Sequence, residues 1–89
     1  MYAVLVTVRI DPARAQESVD HLGTHVVPHA KAAPGFVRGT WFGDRESGHG
    51  VILFDSQEHA EQMTTMDDPP PDAPVQIESM KAYEVHAEA

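Results

Sequence analysis

The chain has 89 residues and a mass of 9.8 kDa, which suffices for one hydrophobic core in a single domain over residues 1–89. It has no cysteine, which excludes a disulfide framework, a thiolate nucleophile and a cysteine-based zinc site. Six Lys and Arg against fourteen Asp and Glu leave a net charge of −8, a poor match for nucleic acid or anionic lipid. No apolar run approaches the ~20 residues of a membrane span and nothing resembles a signal peptide, so a cytoplasmic protein without membrane attachment is expected.

Tyr2 to Ile10 alternates with period two and is rich in β-branched residues, which predicts a first strand. Asp11-Pro12 stops it and opens a helix, with Asp11 as N-cap and Pro12 in the first turn. Ala15, Val19, Leu22 and Val26 form one apolar stripe of that helix. Pro28 disfavours helical geometry at Val27, so a kink or break is expected there, with one more turn toward Ala33.

Pro34-Gly35 reads as a turn and Phe36 to Gly43 as the second strand. Asp44 to Gly48 is a polar hairpin loop, and a third strand follows from His49 to Phe54. Asp55 is the expected N-cap of a second helix, in a capping box with Glu58, and that helix runs to Met66 with Ala60, Met63 and Met66 on one side. Asp67 to Pro74 is proline-rich and reads as a stiff connector, leading to a last strand from Val75 to Val85.

The order is β-α-β-β-α-β, so the fold class is α+β and ferredoxin-like: a four-stranded antiparallel sheet with two helices on one face. Both faces of this sheet are apolar. Leu5, Val37, Trp41, Val51 and Leu53 are assigned to the side away from the helices, where two short helices cannot cover them. A homodimer through the sheet faces is therefore expected, with the last strand as the element that reaches across to the partner.

Val26-Val27-Pro28-His29 leads to Ala33-Pro34-Gly35-Phe36, and Phe54-Asp55-Ser56 leads into an acidic, alanine-containing helix. Together with the opening strand, these segments resemble the dimeric α+β barrel superfamily, most of all the small proteins related to antibiotic biosynthesis monooxygenases (ABM). The resemblance implies a dimeric barrel, a pocket between sheet and helices in each subunit, and activities such as cofactor-free oxygenation of quinol-like polyketides or haem degradation. The haem-degrading members resemble one another in an Asn on strand 1, a Trp on strand 3 and a His on helix 2. This chain has no asparagine, has Phe54 at the position of that Trp, and carries its only tryptophan, Trp41, on strand 2. That counts against a haem oxygenase of the usual kind.

The resulting reading is an ABM-like protein for an apolar, aromatic small molecule, a candidate cofactor-independent monooxygenase that needs neither metal nor cofactor. His59 lies on the sheet-facing side of the second helix and is the candidate catalytic base. Val6, Val8, Trp41, Phe54 and Met63 are the candidate substrate contacts, and Arg38 or Arg9 would hold an oxyanion. Two alternatives stand beside this one. One is a non-catalytic dimeric ligand-binding or interaction module. The other, minor, is a metal binder using His21, His25 and His29, whose i, i+4 spacing suits shared ligation but also suits a solvated helix face.

Overall fold

The computed structural model describes residues 1–65 and 73–89. Strands β1 (Tyr2–Ile10), β2 (Phe36–Gly43), β3 (Ser47–Phe54) and β4 (Val75–Glu84) form one antiparallel sheet in the order β2-β3-β1-β4. This is the ferredoxin-like arrangement that the element order predicts. The last strand pairs with β1 of its own chain, from Tyr2 opposite Glu84 to Ile10 opposite Val75, and forms one edge of the sheet. The expected end of the second helix at Met66 and most of the proline-rich connector lie outside the described residues.

Helix α1 is one continuous element of four segments. A 3₁₀ turn (Pro12–Arg14) leads into α-helix (Ala15–His21), a π turn (Leu22–Val26) and a last α-helical stretch (Val27–Ala32). Asp11 caps it as expected, its carboxylate accepting from the Ala13 amide at 3.0 Å. Pro28 does not break the helix, and Val27 keeps helical angles of −62° and −48°. A proline ring collides with the carbonyl four residues back, here Thr24, and the widened π turn ahead of it gives the room.

Helix α2 (Gln57–Met63) begins one residue later than expected. Ser56, not Asp55, is the N-cap, its hydroxyl accepting from the His59 amide at 3.2 Å. The capping box is absent because the Asp55 carboxylate is turned to the His59 ring instead. Thr64 and Thr65 fold their hydroxyls back onto the carbonyls of Glu61 and Gln62, which closes the helix.

On the helix-facing side of the sheet, Val4, Ile52 and Phe54 pack with Ala30 of α1 and with Ala60 and Met63 of α2, all nearly inaccessible. Strand β2 carries a register shift between Phe36 and Arg38. Phe36 pairs with Phe54 and Trp41 with Gly50, so both aromatic side chains share the helix-facing side with Val6. This corrects the expectation that Trp41 lies on the far face. Simple alternation puts Phe36 and Trp41 on opposite sides, and one bulged residue, Val37, brings them together. The Trp41 ring lies across Gly39 and Gly50, where a methyl group would come within 2.6 Å and 2.8 Å of ring carbons.

Gly35 turns the chain into β2 with a φ of 78°, the left-handed region that glycine enters without strain. On the far face Leu5, Val51, Phe42 and Tyr83 remain, and Leu53 there is 7% exposed. Arg38 on the same face bonds Glu88 at 3.1 Å, which ties the segment after β4 to the opposite edge of the sheet. Gly50→Ala is expected to displace the indole and destabilise the protein by about 1–3 kcal/mol, the usual cost of overpacking. Urea unfolding followed by the emission of the single tryptophan checks both effects.

Candidate functional site

Helix α1 joins the buried core near its end, at Ala30. Toward its start, Leu22 and Val26 are half-buried and Val19 is 60% exposed. The expected apolar stripe therefore does not seal onto the sheet. It forms one wall of a cavity of about 850 Å³ whose floor is Val6, Val8 and Ile10 of β1 with Ile77 and Met80 of β4. Trp41 closes one side, Met63 reaches the deep end, and Arg45 of the β2–β3 loop stands at the mouth.

His21, His25 and His29 all line this cavity from α1. His21 is half-buried, while His25 and His29 sit at the exposed rim. The rings of His21 and His25 are 4.9 Å apart, tilted by 39°. Among the described residues no three His, Asp or Glu side chains converge on a common metal position, so the row has no metal-site geometry. Spacing alone left these histidines on a solvated face. The signal that could have placed them was Pro28, since a helix that survives an internal proline changes its turn just before it.

Four of the candidate contacts, Val6, Val8, Trp41 and Met63, meet at the cavity. Phe54 does not: it is fully buried in the core beneath. Arg38 lies on the far face paired with Glu88, and Arg9 shares that face opposite Ser47 and Gln76, so neither cation is placed to hold an oxyanion in the cavity. His59 lies outside the main cavity as well. It lines a smaller depression of about 290 Å³ with His29, Ala33, Pro34 and Gln62. Its Nδ1 is 2.6 Å from Asp55 Oδ1, and the ring fills the space above Gly35. That hydrogen bond from His59 holds the Asp55 carboxyl below the usual aspartate range.

The mouth of the cavity is built by a charged turn. Asp44 accepts from the amides of Glu46 and Ser47, both at 2.8 Å, and from the Ser47 hydroxyl at 3.2 Å. These bonds start β3 two residues earlier than the sequence predicts and hold the Asp44 carboxyl below its ordinary value. Arg45 donates to the Pro12 carbonyl at 3.4 Å, which links the hairpin to the start of α1.

Solved structures share this fold. The chain superposes on a monooxygenase of Streptomyces coelicolor, from the gene ActVA-Orf6 and in complex with nanaomycin D, with a TM-score of 0.62 and 15% identity over 99% of this chain and 89% of that one. It also superposes on a heme-degrading protein of Mycobacterium tuberculosis, in its heme-free form, with a TM-score of 0.60 and 18% identity over 100% of this chain and 99% of that one. No family model and no curated protein matches the sequence. The fold is thus the ABM-like α+β fold that the sequence segments resembled. At such identities the likeness concerns the fold alone.

The lowered Asp44 carboxyl carries a pH signature. Its stabilising effect is complete above the ordinary value of 3.8 and is lost as pH falls from there through the lower folded value. Asp44→Ala is expected to lower the melting temperature at pH 7, with the gap to the parent protein closing below about pH 4. Thermal scans from pH 2.5 to pH 7 check this.

Proposed function

We propose that this chain is an ABM-like small-ligand protein that takes a flat, apolar, aromatic molecule between its sheet and helix α1. The observation that carries the reading is the cavity itself. Its volume of about 850 Å³ suits a multi-ring ligand, its floor is aliphatic, and Trp41 caps it on the sheet side. Small-molecule sites have this composition, with few polar groups at one edge. The fold shared with a monooxygenase crystallised with nanaomycin D supports the same size of ligand.

The chemistry that suits such a site without metal or cofactor is monooxygenation of a tricyclic phenol by dioxygen. A ring CH₂ gives up two hydrogens and becomes a carbonyl, one oxygen atom entering the product and the other leaving as water. The substrate itself supplies all four electrons that dioxygen takes up, and a base that removes the first proton starts the reaction. Since His59 and Arg38 stand away from the cavity, the base falls to a histidine on α1. A non-catalytic ligand-binding protein is the second reading, favoured by the exposure of two of the three rim histidines.

We further propose a homodimer in which the far faces of two sheets pack together. Leu5, Phe42 and Tyr83 are 37%, 55% and 47% exposed there, with Val51 between them. Apolar surface removed from water stabilises by about 25 cal/mol per Å², so covering this face adds materially to the core of so small a chain.

Anthrone is expected to quench Trp41 emission on binding and to drive oxygen uptake with anthraquinone as product. Quenching without oxygen uptake would retain the binding protein and remove the oxygenase, whereas no binding would remove the cavity reading. Light scattering after size exclusion should give twice 9.8 kDa. Phe42→Glu, which places a charge in the proposed interface, should return about one chain mass.

A further inference from the structure

We infer that His21, His25 and His29 form an anion-selecting wall, so that the cavity prefers an apolar ligand bearing a negative charge, such as a phenolate, carboxylate or sulfonate. This rests on the cavity reading above and narrows it to a ligand class. The floor from β1 and β4 offers no hydrogen-bonding side chain among Val6, Val8, Ile10, Ile77 and Met80. Polar recognition therefore comes from α1 and from the hairpin at the mouth. An α-helix turns about 40° too far over four residues, so an i, i+4, i+8 row drifts around it. The wider π turn between His21 and Val27 offsets that drift and keeps three imidazoles along one wall.

The charged groups around the row are already committed elsewhere. On α1, Glu17 is gripped by Arg14 through two bonds of 2.6 Å and 2.7 Å, and Asp20 accepts from Gln16. Glu17 still adds a negative field at His21. On the hairpin, Asp44 is held by its own turn, while Arg45 adds a cation at the mouth. His49 of β3 bonds Thr7 and stacks with Phe42. Helix α2 brings only Met63 to the cavity, with His59 facing His29 across the smaller depression. Among the described residues no carboxylate lies within ion-pair distance of the three rim histidines. A ligand anion is the partner this wall lacks.

Imidazole is the side chain that gains charge between pH 8 and pH 5. An anion bound against it favours the protonated form, so its affinity rises as pH falls, whereas a neutral ligand of the same shape shows no such change. The test uses two fluorescent probes with the same aromatic body: 1-anilinonaphthalene-8-sulfonate and uncharged N-phenyl-1-naphthylamine. For the parent protein the sulfonate is expected to bind about tenfold tighter at pH 5.5 than at pH 8, a change of the size that charge-assisted hydrogen bonds produce. The neutral probe should change less than about twofold over the same range.

His21→Gln/His25→Gln should flatten the sulfonate profile while the neutral probe still binds with a flat pH profile, which also shows that the variant is folded. His25→Gln alone, at an exposed position, should flatten it in part if the double variant does not fold. An unchanged sulfonate profile in these variants, or a neutral probe that tracks the sulfonate, would overturn the anion wall while leaving the cavity intact. Failure of both probes to bind the parent protein would instead remove the cavity reading, and this inference with it.

Discussion

The inner face of the sheet is longer than the two helices can fill, and most of the molecule's character follows from that mismatch. At one end, Val4, Ile52 and Phe54 are sealed by Ala30, Ala60 and Met63. At the other, Val6, Val8 and Ile10 continue the apolar strip of β1 as the floor of the cavity. Near the end of α1, Ala30 is buried in the core, while Val19, Leu22 and Val26 line the cavity. Close packing makes the first half the folding core, and its absence makes the second half a cavity.

The same division separates stability from chemistry. Among the described residues the core holds no ionisable group, and its one fully buried aromatic, Phe54, belongs to packing rather than to a ligand. Polar groups gather where the packing stops: three histidines on α1, the Arg45 hairpin and the indole of Trp41. Trp41 belongs to both halves. Its ring is seated over Gly39 and Gly50, which fixes its direction, and its exposed part faces the cavity. A protein of net charge −8 repels anions in general, so an anion wall in one concavity gives direction to binding that the overall charge would oppose.

Much of the fold was legible without coordinates. A period-two run located β1 at its observed bounds, and the Pro34-Gly35 turn, which needs positive φ, marked the start of β2. Less of the site was legible. Val6, Val8 and Met63 follow from face and period, because a residue on the helix-facing side either packs or lines a gap. His59 was expected to face the sheet, and the local bond to Asp55 holds it over Gly35 and away from the main cavity. Arg38 was read as a cavity cation, and the bulge beside it at Val37 leaves it on the far face.

What the sequence by itself determined was the order of elements, the antiparallel sheet and the apolar character of both faces. These depend on local periodicity and on the backbone needs of glycine and proline, which act within a few residues. What only the tertiary structure decided was which side Trp41 faces, whether α1 survives Pro28, and that His21, His25 and His29 share one wall. Each of these turns on one inserted residue, a strand bulge or a widened helical turn. Such an insertion costs little locally and is selected by how distant elements fit, so no pattern along the chain announces it.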